Sequence, residues 1–161
     1  ILMISSMITG SILAKYEAAF AVIPLLVTFI PMLTDTGGNA GSQSSTMIIR
    51  GMAVGEIEAG DILRVLWKEL RVGVIVGVLL GLVNYIQLVI RFPGQEMLCL
   101  TVVLSLLATV MLAKTIGCVL PIAAQVLHLD PAIMAAPLIT TIVDAVSLII
   151  YFQLACSLLK I

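Results

Sequence analysis

Thr34-Asp35-Thr36-Gly37-Gly38-Asn39-Ala40-Gly41-Ser42-Gln43-Ser44-Ser45-Thr46 is a polar, glycine-rich stretch that follows directly on the apolar run Ala18–Leu33. In a soluble protein it would read as an ordinary loop. Here the rest of the chain is so apolar that the stretch has to lie in or beside a bilayer. Polar groups at that depth are costly and face a bundle interior or a water-filled path. A channel or transporter is the class this implies.

Composition supports the membrane reading. The chain is 61% hydrophobic and only 11% charged, with a mean hydropathy of +1.25, well outside the soluble range. Its 161 residues can supply five spans at roughly 20 residues each and leave no room for a separate soluble domain. The net charge of -1 points to neither an acidic nor a basic partner, and no nucleic acid is expected. Cys99, Cys118 and Cys156 lie far apart in apolar runs and read as small buried hydrophobes. The start inside an apolar segment lacks the form of a signal peptide and suggests a domain cut from a longer protein.

Five apolar segments run over residues 1–14 (truncated), 18–50, 72–90, 97–127 and 131–159. Between the second and third, residues 51–71 carry Glu56, Glu58, Asp61, Arg64, Lys68, Glu69 and Arg71, with Ile62, Val65, Leu66 and Leu70 at helical spacing. That pattern predicts an amphipathic interfacial helix with Trp67 at headgroup level. Arg50, Arg64, Lys68 and Arg71 cluster at this connection, whereas Lys15, Arg91 and Lys160 fall on the opposite side. The positive-inside rule makes the amphipathic connection and the N-terminus cytoplasmic and the C-terminus external.

Gly73, Gly77 and Gly81 form two GxxxG steps, and Gly37/Gly41 and Gly51/Gly55 share the spacing. Close helix packing is the expected use. Pro24, Pro31, Pro121 and Pro137 are expected to kink or interrupt their helices, which is tolerated within protein or beside water.

Asp144 is the single acidic residue deep in a predicted span, and Thr140, Thr141, Ser147 and Tyr151 share its stripe at three- and four-residue steps. A carboxylate there needs a cation, a partner or a proton. A substrate path is the default reading, and an ion pair with Lys114 is the structural alternative. Asp35, Asn39, Ser42 and Thr46 form a second oxygen stripe, with Gln43 beside it. Oxygen-only donors suit hard cations such as Mg²⁺ or Ca²⁺ over zinc or copper. Ser44 and Ser45 are expected to bond back to their own helix. A twofold dimer would bring two copies of each stripe together and set two Asp144 carboxylates across one axis.

With these residues in view, the chain resembles the membrane domain of the MgtE family of bacterial magnesium channels. The resemblance rests on Gly37-Gly38-Asn39-Ala40-Gly41-Ser42-Gln43, Arg50-Gly51, Gly55-Glu56, Lys68-Glu69-Leu70, Asp130-Pro131-Ala132 and Thr140-Thr141-Ile142-Val143-Asp144, in that order. It implies an all-α membrane protein with five transmembrane helices per protomer, a single pore domain over residues 1–161, and a homodimer with its pore at the dimer axis. It further implies a cell inner (plasma) membrane location and transport of hydrated Mg²⁺. Asp144 matches the family's pore aspartate, with Ala136 and Thr140 contributing oxygens or shape. Gly38, Asn39, Ser42, Asp35, Thr141 and Ser147 are the expected pore lining.

In that family cytoplasmic domains sense Mg²⁺ and close the pore, and this chain is expected to be the membrane part without them. Glu56, Glu58, Asp61 and Glu69 read either as a cytoplasmic regulatory group or as a solvated helix face. Asp35 would concentrate cations at the outer mouth or cap the helical segment that follows. No enzymatic fingerprint is present. Passive Mg²⁺ conduction is the leading reading. A gradient-coupled exchanger, as related eukaryotic carriers have been viewed and as Lys114 near Asp144 would suit, and a dimerising anchor for sensors are the alternatives.

Overall fold

The computed structural model describes residues 2–131 and 136–160, as helices joined by short turns. The long elements are α1 (Leu2–Lys15), α3 (Ile30–Ala53), α4 (Ile62–Arg91), α5 (Glu96–Val126) and α6 (Ala136–Leu159). A short helix, α2 (Glu17–Val22), and a 3₁₀ segment (Pro24–Phe29) lead into α3. Three helical stretches among the described residues are long and apolar enough to cross a membrane: Ile62–Arg91, Glu96–Val126 and Pro137–Leu159. This is an all-α membrane protein. α3 has 24 residues, but its length is divided between an apolar start and the polar stretch from Thr34 to Thr46.

α5 is the central post, against which α3, α4 and α6 all pack. Its buried positions Leu98, Val102, Leu106, Val110 and Ala113 form the middle of the core. α4 packs on the outside of α5. Ile75, Leu79, Leu82, Val83 and Ile86 are exposed on it, an apolar face that water would oppose and lipid tails accept. Its inner face is the glycine row. A β-carbon on Gly77 would fall 2.6 Å from Leu107 Cδ1, and one on Gly81 3.2 Å from Val103 Cγ1. α3 and α5 approach more closely still, because a β-carbon on Gly117 would collide with the backbone of Gly41. Small residues at such crossings let backbones meet where no hydrophobic force drives them together.

Two expected boundaries change. The segment 51–71 is not a separate interfacial helix. α3 continues to Ala53 and stops at Gly55, whose φ of +75° is the left-handed conformation glycine adopts freely. Glu56 N–H then donates to Gly51 C=O (2.8 Å) and Gly55 N–H to Met52 C=O (3.2 Å), a Schellman closure. After a short 3₁₀ turn at Ala59–Asp61, α4 runs unbroken from Ile62 to Arg91. No proline interrupts the junction between the amphipathic turns and the apolar span, so one helix of 30 residues carries both. At 1.5 Å per residue it is about 45 Å long, enough for its charged first turns to project beyond a hydrocarbon core of about 30 Å.

The second apolar segment, expected as a single span over 18–50, is instead three pieces. Pro24 opens the 3₁₀ segment and Pro31 sits in the first turn of α3, where a missing N–H costs no helix bond. Tyr151 of α6 fastens this break by donating its hydroxyl to the Leu26 carbonyl at 2.9 Å. Phe152 stacks on Tyr16 at 4.8 Å between centroids and meets Phe20 edge-on at 5.1 Å. The predicted fifth span began at 131, and residues 132–135, including Ala132 of the quoted motif, lie outside the described residues.

Candidate ion site

α3 is polar on two faces with different fates. Asp35 and Asn39 are exposed, Ser42 is half-buried, and Gly37, Gly38, Gly41 and Ser44 are buried. Gly38 sets the distance to α6. A β-carbon there would stand 3.1 Å from Thr140 Cγ2 and 3.9 Å from Asp144 Oδ1. Because glycine occupies the position, α6 comes close enough for its stripe to share one crevice with that of α3.

That crevice has a volume of about 370 Å³ and is lined by Pro31, Thr34, Asp35, Gly38 and Asn39 of α3 and by Thr140 and Asp144 of α6. Two carboxylates, an amide and two hydroxyls thus meet, and no Lys, Arg or His is among the residues that line it. The hydroxyls are already committed as donors. Thr34 Oγ1 donates to Ile30 C=O at 3.1 Å and Thr140 Oγ1 to Pro137 C=O at 3.2 Å. Their remaining lone pairs can only accept. A rim rich in acceptors suits a cation that arrives with its waters, because bound waters are donors. Mg²⁺ gives up water reluctantly and is held in this manner by few carboxylates. Among the described residues no group of three or more His, Cys, Asp or Glu could strip and cage a metal.

The other expected site residues are distributed differently. Thr141 is half-buried and donates back to Pro137 C=O at 2.8 Å. Ser147 is buried against α3, where a β-carbon on Gly37 would come within 3.2 Å of its hydroxyl. Neither these two nor Ser42 lines the crevice. Ala136 is the first residue of α6, and its side chain is outside the described set. Tyr151, expected on the same polar stripe, is instead buried in the core on its bond to Leu26. Asp35 lies within α3, five residues past its first, so it does not cap that helix.

The acidic group divides too. Glu58 and Asp61 form a reciprocal capping box at the 3₁₀ turn, with Glu58 N–H donating to Asp61 Oδ2 at 3.1 Å. Glu56 is exposed. Glu56, Asp61 and Glu69 line a second, larger crevice of about 740 Å³, shared with Arg50, Arg64, Lys68 and Arg71.

Glu69 departs furthest from expectation. It is not on a solvated face but buried, with its Oε2 3.2 Å from Lys114 Nζ. Lys114 therefore pairs with Glu69, not Asp144. Ser44 does not bond back to its own helix either, because its hydroxyl donates to Glu69. One signal for this pairing was present in the sequence: Glu69 continues, one turn earlier, the row Gly73, Gly77, Gly81. A residue on that row faces the partner helix.

Residues 30–154 match the MgtE family, described as a divalent cation transporter. The magnesium transporter MgtE of Thermus thermophilus is 35% identical over 160 residues, covering 99% of this chain and 35% of that protein. Its counterpart from Bacillus subtilis is 34% identical over 155 residues, 96% of this chain and 34% of the relative. The Enterococcus faecalis protein is 29% identical over 160 residues, 99% of this chain and 35% of the relative. The chain spans about a third of the length of these relatives. By its sequence match and its helical membrane fold, the chain belongs to the MgtE family of divalent cation transporters.

Proposed function

We propose that this chain is the pore part of a Mg²⁺ channel that passes the hydrated ion down its electrochemical gradient. One observation carries the reading: Asp35 and Asn39 of α3 share a crevice with Thr140 and Asp144 of α6, with no cationic side chain on its walls. A lone crevice of this kind is open on one side, and its exposed amide and carboxylate are untenable against lipid. A second copy about a twofold axis would close it, enclose water and set two Asp144 carboxylates across one path. Five spans per protomer, an N-terminus on the cytoplasmic side and a plasma-membrane location complete the proposal. Arg50, Arg64, Lys68 and Arg71 at one end of α3 and α4 support that orientation. Sensor domains of a longer protein would dock at the same end.

The exchanger alternative drew on related eukaryotic carriers and on Lys114 near Asp144. Lys114 pairs instead with Glu69, which removes the second of these grounds. Liposomes loaded with a Mg²⁺-sensitive dye test the channel reading. Influx without a sodium or proton gradient, removed by both Asp144→Ala and Asp144→Asn, is the expected result. Influx that requires either gradient would exclude a channel, and influx that survives both substitutions would exclude Asp144 as the selective site.

A further inference from the structure

Behind the crevice lies a charged group that the ion site does not use. Lys114 of α5 extends its ammonium between α3 and α4, 3.2 Å from Glu69 Oε2 and 3.2 Å from Ser44 Oγ. The Ser44 hydroxyl donates to the same Glu69 oxygen. The Lys114 and Glu69 side chains are only 7% and 5% exposed, and Ser44 is fully buried. Gly73 makes room for the lysine stem, since a β-carbon there would lie 3.3 Å from Lys114 Cδ. Three helices thus meet at one charge-assisted knot.

Its place on α3 suggests what the knot does. At about 100° per residue, Ser44 lies on the side of α3 opposite Asp35, Asn39, Ser42 and Thr46. The back face also carries Gly37, Gly41 and Ile48, whose van der Waals contacts have little preferred direction. A hydrogen bond to a charged group has one. A buried ion pair adds little net stability over packed aliphatic residues, and its best-attested use is to specify one arrangement among several.

We propose that Glu69, Lys114 and Ser44 are positioning residues, a clasp that fixes the rotation of α3 and so holds Asp35 and Asn39 opposite Thr140 and Asp144. The inference rests on reading that crevice as the ion path. Turning α3 to swing its oxygen stripe away from α6 would first break the Ser44 bond.

The test compares the intact protein with Ser44→Ala and Glu69→Gln in liposomes. It reads the apparent KM for Mg²⁺ influx separately from the maximal rate per reconstituted protein, together with the ratio of Mg²⁺ to Ca²⁺ influx. A clasp predicts a KM raised by about threefold or more and a reduced Mg²⁺/Ca²⁺ ratio in both variants. A lower maximal rate with unchanged KM and ratio overturns it, because damage to stability alone reduces the number of working molecules and not their selectivity. Should Glu69→Gln fail to fold, Ser44→Ala, which removes one hydroxyl, carries the comparison.

A second measurement does not depend on transport. With Cys99, Cys118 and Cys156 replaced by Ala, Asn39→Cys is labelled by a water-soluble thiol reagent, with and without Ser44→Ala. A change in labelling rate of about threefold or more supports the clasp, and equal rates overturn it. If Asp144→Ala leaves influx intact, the reading of the crevice falls, and the labelling rate alone decides whether the clasp orients α3.

Discussion

Gly117 of α5 faces the backbone of Gly41 of α3 so closely that any β-carbon at 117 would overlap the Gly41 carbonyl. The two helices meet main chain to main chain at the level where α3 turns its oxygen stripe outward. A flexible side chain could give way, but a helix backbone cannot without moving the whole element. Gly117→Ala is therefore expected to destabilise the protein by about 3 kcal/mol, the upper end of ordinary overpacking. A thermal melt in detergent checks this, and an unchanged midpoint would mean that α3 and α5 are not locked at this crossing.

Gly38→Ala makes a contrasting case. Its new methyl would press on the Thr140 side chain at 3.1 Å, a contact that a small shift relieves. Stability should change by less than about 1.5 kcal/mol, while Mg²⁺ influx falls because the methyl enters the crevice beside Asp144. Parallel melting and flux measurements separate the two effects.

Removing one member of the buried pair leaves the other charge without compensation. Lys114→Met alone should cost about 3–5 kcal/mol. The double change Lys114→Met with Glu69→Leu should restore most of that stability, since no buried charge remains. A denaturation series over the two single variants and the double variant measures the coupling. Additive losses would show that the side chains do not interact in the folded protein.

Asp35 lies on the wall of the crevice and is exposed in the single chain. Asp35→Asn should lower Mg²⁺ influx at low ionic strength and have little effect at about 1 M salt, where screening shortens electrostatic reach to about 3 Å. On the proposed reading, in which the Asp144 carboxylate meets the ion at close range, Asp144→Asn should reduce influx at both. An equal, salt-independent loss in Asp35→Asn would make it a direct ion contact as well.

Tyr151→Phe removes the hydroxyl that donates to the Leu26 carbonyl. Losing that one hydrogen bond should cost about 0.5–1.5 kcal/mol, and the 3₁₀ break ahead of α3 would lose its tie to α6. Faster amide exchange confined to the stretch from Pro24 to Phe29 is the expected signature, and uniform exchange rates across both proteins would argue against the tie.

Features that belong to one helix at a time were legible in the sequence. Hydropathy placed the chain in a membrane, because the apolar area of α4, α5 and α6 has no other acceptable solvent. Helical periodicity put Asp35 and Asn39 on one face of α3, Thr140 and Asp144 on one face of α6, and Gly73, Gly77 and Gly81 on one face of α4. Those are consequences of 3.6 residues per turn and survive any arrangement of the helices. How the faces pair is a matter of packing, and no single helix carries that information. Lys114 could reach either of two carboxylates as far as sequence distance shows, and it took Glu69 because Gly73 lets α4 approach the lysine stem. Ser147 and Tyr151 share the stripe of Asp144, yet they are buried, because α3 covers Ser147 at Gly37 and the 3₁₀ segment meets Tyr151 at Leu26. The continuity of α4 across its amphipathic and apolar halves was likewise hidden, since a change of environment along a helix looks in sequence like a change of element.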